Sequence, residues 1–268
     1  MPAGTVDIQL LSDLHLEIER GSQPLYQYDF PASAENLALL GDIGWTRDER
    51  LFLWLEVQLL RFKHVFFVSG NHEPYISTLE ESAGTIEAFA KRMTDARSAD
   101  PSKGEFIFLN RTRYDLSPTL TILGCTLWSA LDPENIDILV WGLTDFKRID
   151  DFNPDTYSEC HIVDLAWLRQ SITDIRTNEP ERRIVVFTHH APTIEGTGDP
   201  KYIGGPTNSA FATELSMDDI WSPPLAVWAF GHTHWSCDFE RRGVRVVSNQ
   251  RGYKEGDPAF DAATVLRL

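Results

Sequence analysis

One stretch late in the chain reads Ala226-Val227-Trp228-Ala229-Phe230-Gly231-His232-Thr233-His234. Its apolar run predicts a buried strand, and the glycine predicts the turn at which the chain leaves the sheet. Two imidazoles in His-x-His spacing at a strand end are poor core residues, because histidine is polar and titrates near neutral pH. The stretch therefore raises the question of which other side chains meet these two histidines.

The length and charge of the chain limit its fold and its partners. A chain of 268 residues can bury a large core, so we expect one α/β domain over residues 1–268. The net charge of −16 counts against long DNA or RNA as a partner, because nucleic-acid binders carry a basic face. A small substrate is the expected partner, and the oligomeric state is left open.

The cysteines and the apolar runs bear on the compartment. Cys125, Cys160 and Cys237 are scattered and odd in number, which disfavours a disulfide framework or a structural zinc site. Residues 1–7 lack the basic and apolar regions of a signal peptide. No apolar run approaches ~18 residues, so no membrane span is predicted. The expected location is the cytoplasm.

The hydrophobic pattern predicts alternating strands and helices. Residues 6–73 read as βαβ, since strands at 6–11, 36–40 and 64–68 enclose an amphipathic helix at 49–62. Further predicted strands are 106–109, 114–116, 120–127, 184–187, 226–230, 244–248 and 264–268, and further predicted helices are 80–97, 161–176 and 209–221. Residues 136–151 stay unassigned between loop signals at Asp132-Pro133 and Asn153-Pro154. Residues 195–206 are predicted to be a surface loop or a lid.

Five predicted strand ends carry similar polar residues. They are Asp13 with His15, Asp42, Asn71 with His72, His189 with His190, and His232 with His234. Ligands in α/β sheets gather at the carboxyl ends of strands. Aspartate, asparagine and histidine suit Mn, Fe, Zn, Ni or Mg. Each motif alone is a weak signal, but the ordered series predicts a site for two divalent ions, with one aspartate able to bridge them.

The series resembles the calcineurin-like metallophosphoesterase superfamily. The resemblance rests on Asp13-x-His15, Gly41-Asp42, Gly70-Asn71-His72-Glu73, His189 and Gly231-His232-Thr233-His234, and it runs from about residue 7 to residue 253. It implies a four-layer α/β/β/α sandwich with a dinuclear metal site at the carboxyl ends of the strands. It also implies that Asp13, His15 and His234 bind one metal, that Asn71, His189 and His232 bind the other, that Asp42 bridges them, and that His72 is a catalytic histidine outside the ligand set.

This resemblance implies a phosphoester hydrolase. Two cations lower the pKa of a bridging water and neutralise the phosphoryl group, so the expected reaction is hydrolysis of a small phosphomonoester or phosphodiester by a metal-bridging hydroxide. Asn71 can donate its amide to a phosphate oxygen, and His72 can protonate the leaving group. The alternatives are a nuclease or cyclic-nucleotide phosphodiesterase of the same superfamily, and a non-catalytic protein-binding scaffold.

One departure and two further residues bear on the substrate. Protein serine/threonine phosphatases of this superfamily carry Asp-Arg two residues after Gly-Asp, where this chain has Trp45-Thr46, and this counts against that branch. Arg47 is out of register; it either substitutes for the missing arginine or begins the following helix. Arg251 is a candidate substrate contact because a guanidinium matches phosphate geometry, or else a surface arginine bonded to the main chain. His190 is a candidate substrate contact or a packed neighbour of His189.

Overall fold

The computed structural model describes residues 5–21, 23–253 and 259–268. The expectation of no signal peptide falls mainly on residues 1–4, outside the described residues. The elements follow in the order β1 (Asp7–Leu11), β2 (Asn36–Leu40), α1 (Glu49–Leu59), β3 (His64–Val68), α2 (Leu79–Ala99), β4 (Glu105–Phe108), β5 (Thr112–Ser117), β6 (Leu120–Cys125), α3 (Ile136–Gly142), α4 (Asp145–Arg148), α5 (Pro154–Asn178), β7 (Arg183–Thr188), β8 (Leu225–Phe230), β9 (Cys237–Arg241), β10 (Val244–Ser248) and β11 (Val265–Arg267).

The strands form two sheets. The first has the order β11-β1-β2-β3-β4 and the second has the order β5-β6-β7-β8-β10-β9. In the first sheet β1 to β4 run parallel and β11 is antiparallel. In the second sheet β6, β7, β8 and β10 run parallel, with β5 and β9 as antiparallel edges. The parallel strands therefore bring the carboxyl ends of β1, β2, β3, β7 and β8 to shared edges.

Strand residues alternate between two cores. In β2, Leu37 and Leu39 belong to the cluster that contains buried residues of α1 and α2. Ala38 and Leu40 belong instead to a cluster that joins both sheets. A third cluster packs α5 against the outer face of the second sheet. Because side chains alternate across a strand, each sheet is buried on both faces, and the four-layer α/β/β/α architecture is confirmed.

The long helices begin at capping residues. Asp48 accepts a hydrogen bond from the main chain of α1, and a Thr78–Glu81 capping box opens α2. Asn153 caps α5, with Pro154 as its first residue. Proline suits that position because its missing N–H would have no helical partner there. This helix therefore begins at Pro154 rather than at residue 161, and the Asn-Pro pair marks a helix start as well as the end of a loop.

The second half of the chain contains one wrong prediction and one strand that was not predicted. The predicted helix at 209–221 is wrong, since only a 3-10 turn at Asn208–Ala210 forms. Its main chain pairs with the loop after β7: Thr213 donates to the Ala191 carbonyl (3.0 Å) and Leu215 to the Pro192 carbonyl (2.9 Å). Strand β9, an edge strand, was not predicted. The strands at 36–40, 64–68 and 244–248 match the prediction.

None of the helices in the described ranges is long and apolar enough to cross a bilayer. The expectation of one domain over residues 1–268 remains a prediction.

Candidate metal centre

The loops after the strands have an unusual backbone. Among the described residues, five candidate ligands have positive φ: Asp13 (54°), His15 (46°), Asp42 (54°), His232 (72°) and His234 (50°). This left-handed region is uncommon for residues other than glycine, and each such residue costs on the order of 1 kcal/mol or more. Strain of this kind concentrates at functional sites. The backbone of these loops therefore supports a functional role for the side chains of these five residues.

Two motif glycines allow the close approach of these loops. A Cβ atom on Gly70 would collide with Oδ1 of Asp42, and one on Gly231 would collide with Oγ of Ser12. Neither neighbour can retreat easily, because both are buried. Glycine is therefore required where the backbone passes directly behind the candidate ligands.

Three of these side chains form what we call the first half of the centre: Asp13, His15 and His234. One donor atom of each lies within 4.8 Å of the others. Nε2 of His15 is 3.0 Å from Nε2 of His234, and the latter atom is 3.4 Å from Oδ1 of Asp13. Asp13 and His15 are fully buried, whereas the His234 side chain is 26% exposed. The first half therefore opens toward solvent.

The second half of the centre consists of Asn71, His189 and His232. Nε2 of His189 is 3.1 Å from Oδ1 of Asn71, and His189 and His232 each offer an atom within 4.8 Å of Asp42. Asp42 lies between the halves. Its Oδ1 is 3.4 Å from Nε2 of His189 and its Oδ2 is 3.8 Å from Nε2 of His15. One carboxylate thus presents an oxygen to each half, which is the geometry that a bridging ligand needs.

In three of the histidines, one ring nitrogen lies within hydrogen-bond distance of an oxygen that can only accept a hydrogen bond. The pairs are His189 Nδ1 with the Leu40 carbonyl (2.7 Å), His232 Nε2 with the Ala210 carbonyl (3.2 Å) and His15 Nδ1 with the Glu17 carboxylate (3.2 Å). The nitrogen facing such an oxygen must carry the N–H. In the neutral ring, the other nitrogen then keeps its lone pair for a ligand, as metal-binding histidines require.

The donors fit divalent cations. Buried carboxylate and amide oxygens and imidazole nitrogens converge here, and this combination suits borderline and hard divalent ions. Opposed imidazole nitrogens such as those of His15 and His234 cannot satisfy each other when both are deprotonated, whereas a cation between them would. A third group, His15, Glu17 and His72, also has donor atoms within 4.8 Å of one another. Glu17 was not predicted.

The electrostatics follow from buried carboxylates beside buried histidines. Burial alone would lower the pKa of His189, but the negative charge of Asp42 and a hydrogen bond to it raise that pKa to about 9. Burial and the nearby charge of His189 lower the pKa of His232 to about 3. The centre without a cation therefore holds a proton on His189, and a cation must displace that proton in order to bind.

His72 lies beside the first half. Its Nδ1 is 2.9 Å from Oε1 of Glu17, and its Nε2 is 3.0 Å from the Tyr253 hydroxyl. Burial would lower its pKa, but the charge of Asp42 and the hydrogen bond to Glu17 raise the pKa of His72 to about 9. The ring of Tyr75 stacks on it at 4.3 Å. The site thus holds a histidine that is protonated at neutral pH in the absence of a cation.

The predicted substrate contacts have other surroundings. His190 is fully buried, its Nδ1 is 2.8 Å from the Ser129 hydroxyl, and its ring stacks on His232 at 4.0 Å. The guanidinium of Arg251 lies over the ring of Tyr28 at 4.2 Å. The ring of His190 also lies 5.6 Å from that of His189, and these contacts favour the alternative in which His190 is a packed neighbour of His189. A substrate contact by His190 or Arg251 stays a prediction.

The segment that departs from the protein phosphatases is held in another way. The ring of Trp45 lies against the guanidinium of Arg148 at 4.9 Å, and Thr46 donates its hydroxyl to the Glu73 carbonyl at 2.9 Å. Arg47 is exposed. Trp45 and Thr46 therefore pack and bond locally, and neither supplies the cation of an Asp-Arg pair.

Four residues around the centre were not predicted from the sequence: Glu17, Tyr75, Asp145 and Tyr253. Glu17 lies two residues after His15 of the first motif, and Tyr253 lies two residues after Arg251, a predicted substrate contact. Both are therefore close in sequence to residues that were predicted. Asp145 had none, because it lies in the unassigned stretch 136–151. It is buried and accepts a hydrogen bond from the amide of Asn71.

Comparisons with known proteins identify the family and the fold. The profile of the calcineurin-like phosphoesterase family matches residues 8–236. An uncharacterized protein of Acanthamoeba polyphaga mimivirus is 29% identical over 262 residues, which cover 92% of this chain and 91% of that protein. Among solved structures, the phosphopantetheinyl hydrolase of Mycobacterium tuberculosis is similar with a TM-score of 0.68 and 18% identity, covering 92% of this chain and 89% of that one. A dimetal phosphatase from Danio rerio has a TM-score of 0.53 and 12% identity, covering 91% and 87%.

Proposed function

Because the chain belongs to the calcineurin-like phosphoesterase family and is a metal-dependent phosphoester hydrolase, we propose that its substrate is a small phosphomonoester or phosphodiester. The proposal includes two divalent ions, drawn from Mn, Fe, Zn, Ni and Mg. Asp13, His15 and His234 would hold one ion, Asn71, His189 and His232 the other, and Asp42 would contact both.

One observation carries the proposal. Donor atoms of the first half lie within 4.8 Å of one another, those of Asp42, His189 and His232 do likewise, and Asp42 turns one oxygen toward each half. A pair of cations at such a site lowers the pKa of bound water and stabilises the charge of a phosphoryl group in transfer. A single structural metal would need only one of these halves.

The residues of the chain supply the remaining chemistry. His72 is proposed to hold a proton for the leaving oxygen, since Glu17 accepts a hydrogen bond at Nδ1 (2.9 Å) and leaves Nε2 to face Tyr253 and the centre. Asn71 is proposed to keep its oxygen for an ion. Its amide nitrogen donates to Asp145 (2.8 Å) and, more weakly, to the Tyr75 hydroxyl (3.4 Å), and we propose that a phosphoryl oxygen replaces the weaker of these two acceptors. Asp42 also accepts from the main-chain N–H of His72 at 2.9 Å, which ties the bridging carboxylate to the catalytic histidine.

The charge of the chain supports a small substrate. With a net charge of −16, approach of a polyanion is electrostatically unfavourable, and the penalty grows with the number of phosphates. Phosphomonoesters and phosphodiesters both remain within the proposal, because the same pair of ions serves either reaction.

The test is a screen of metals against substrates. Protein stripped with a chelator is reloaded with Mn, Fe, Zn, Ni, Mg or Co and assayed with aryl monoesters, aryl diesters, cyclic nucleotides and single-stranded DNA. A phosphopantetheinyl conjugate is added, because a protein of the same fold is a phosphopantetheinyl hydrolase. We expect chelator-sensitive hydrolysis of at least one small ester and weak activity on DNA.

Two outcomes would contradict the proposal. Salt-sensitive cleavage of DNA that exceeds turnover of every small ester would favour the nuclease alternative. Metal binding without hydrolysis of any ester in the panel would favour the scaffold alternative. The variant Lys91→Ala, at an exposed position on α2, serves as a control for nonspecific loss of activity during purification.

A further inference from the structure

A buried carboxylate from a distant part of the chain reaches the second half of the centre. Asp145 lies on the short helix α4 and is 4% exposed. Its Oδ1 accepts a hydrogen bond from Nδ2 of Asn71 at 2.8 Å and another from the hydroxyl of Tyr75 at 2.6 Å. None of the motifs in the sequence includes Asp145, yet it contacts a candidate ligand directly.

This contact decides which way the amide of Asn71 points. An asparagine amide has an oxygen that only accepts and a nitrogen that only donates. Oδ1 of Asp145 accepts from the Tyr75 hydroxyl and lies 2.8 Å from the amide of Asn71, so Asp145 favours the orientation in which the amide nitrogen faces that oxygen. The oxygen of Asn71 then faces His189, at 3.1 Å from Nε2. The reverse orientation would oppose two acceptors across 2.8 Å and turn the nitrogen, which cannot bind a cation, toward the centre.

The same carboxylate oxygen also fixes a ring beside His72. Tyr75 is 2% exposed, and its ring stacks on that of His72 with centroids 4.3 Å apart and planes 29° apart. Its hydroxyl donates to Asp145. A buried hydroxyl that lost this acceptor would be unsatisfied, at about 1–3 kcal/mol, and the ring would lose the bond that sets its position along His72.

We propose that Asp145 is a positioning residue, which orients the oxygen of Asn71 toward the second half of the centre and secures Tyr75 against His72. The proposal rests on the function proposed above, since it assumes that the second half binds a cation. The connection between β6 and β7, which carries α4, then becomes part of the centre although it supplies no ligand. Partners of this kind typically change metal affinity by about 10–100-fold.

Two variants of Asp145 separate orientation from charge. Both donors go to the same oxygen, so Asp145→Asn can keep that acceptor while losing the charge, whereas Asp145→Leu removes the acceptor at similar size. The exposed Asp150 provides the matched control Asp150→Asn. Binding of Mn²⁺ to the metal-free proteins is measured by calorimetry, together with thermal unfolding and with kcat and KM separately.

We expect Asp145→Leu to lower the affinity for one of the two Mn²⁺ ions by about 10–100-fold and to leave the affinity for the other unchanged. Asp145→Asn is expected to stay within a few-fold of the original protein, and Asp150→Asn to match it. A folded Asp145→Leu protein that binds both ions with the original affinity would overturn the proposal. If the original protein binds two ions but hydrolyses nothing, the proposed function fails while the positioning role is still tested by binding.

A double-mutant cycle guards against a variant that fails to fold. Asn71→Asp alone places two carboxylates in contact, so it should bind the second ion poorly. The exchanged pair Asn71→Asp with Asp145→Asn restores a donor opposite an acceptor, with the carboxylate now at the ligand position. We expect the exchanged pair to bind the second ion at least about tenfold more tightly than Asn71→Asp alone, as directly contacting residues do not act additively. Equal binding by the two would overturn the proposal.

Discussion

The two halves of the candidate centre use similar ligands in different surroundings. In the first half, the His234 side chain is 26% exposed and the half-exposed Tyr253 lies beside it. In the second half, His189 is fully buried and the ring of His232 is covered by that of Phe211 at 4.8 Å. The second half is therefore built into the core, whereas the first half faces solvent. We expect the ion in the first half to exchange faster.

The halves also differ in what orients their histidines. Glu17, a charged side chain, accepts from His15 in the first half. Main-chain carbonyls of Leu40 and Ala210 accept from His189 and His232 in the second half. A side chain can be removed by mutation without disturbing the backbone, but a main-chain carbonyl cannot. The second half is thus held by the fold itself.

The strongest test of the two-half arrangement is Asp42→Ala, which removes the carboxylate between the halves. We expect loss of both tightly bound ions and a fall in kcat/KM of about 1,000-fold or more, because residues that act as one unit fail together. Metal analysis and steady-state kinetics measure this. A variant that retains both ions would show that Asp42 is not shared.

The next test compares His232→Ala with His234→Ala, two changes that lie two positions apart in one turn. Each should reduce the stoichiometry from two ions to one, with an activity loss of about 100-fold or more. The ion kept by His232→Ala should exchange quickly, and the ion kept by His234→Ala slowly. Thr233→Ser is the control. Equal losses of the same ion in both variants would contradict the assignment to different halves.

His72→Ala tests chemistry beside the first half without removing a proposed ligand. We expect turnover of an alkyl phosphate to fall by about 100-fold or more, the typical contribution of general acid catalysis. An ester with a good leaving group, such as a nitrophenyl ester, needs no proton and should lose much less. Full turnover of the alkyl phosphate by the variant would rule out the acid role.

The smallest effect concerns the stability of the metal-free protein. The pKa values of His72 and His189 are about 9 in the folded protein, above the value of ~6.5 expected when unfolded. Their stabilisation is complete below pH 6.5 and disappears as the pH rises through 9, because the folded state then loses its extra protons.

From pH 6.5 to 9 we therefore expect a loss of roughly 2–5 kcal/mol in the free energy of unfolding, with the upper figure for two independent histidines, and a corresponding fall in Tm. Thermal unfolding in the presence of a chelator measures it. His72→Gln should remove roughly half of this slope. A Tm that is constant or rises over the same range would contradict the assignment of protons to these histidines.

The parallel strands could be predicted because a strand that is buried on both faces is a continuous apolar run in the sequence. Strands such as His64–Val68 are continuous apolar runs that end at polar motifs, and that combination predicts both the strand and the place of the candidate ligands. The candidate ligands of both halves could be predicted from these strand ends together with the family resemblance.

The failures have one physical cause, which is bonding between distant segments. Residues 209–221 contain helix-forming residues, but their main chain bonds to the loop after β7. Asp145 meets Asn71 across 74 positions of the chain, and no local pattern records such a contact. Glu17 stood beside a motif, but its bonds to His15 and His72 depend on the turn geometry of two separate loops.

The most direct test of the two-ion centre is anomalous diffraction from crystals of the protein loaded with Mn²⁺. We expect two peaks, one contacting Asp13, His15 and His234 and the other contacting Asn71, His189 and His232. Both peaks should touch Asp42. A single peak, or a peak held by His15, Glu17 and His72, would contradict it.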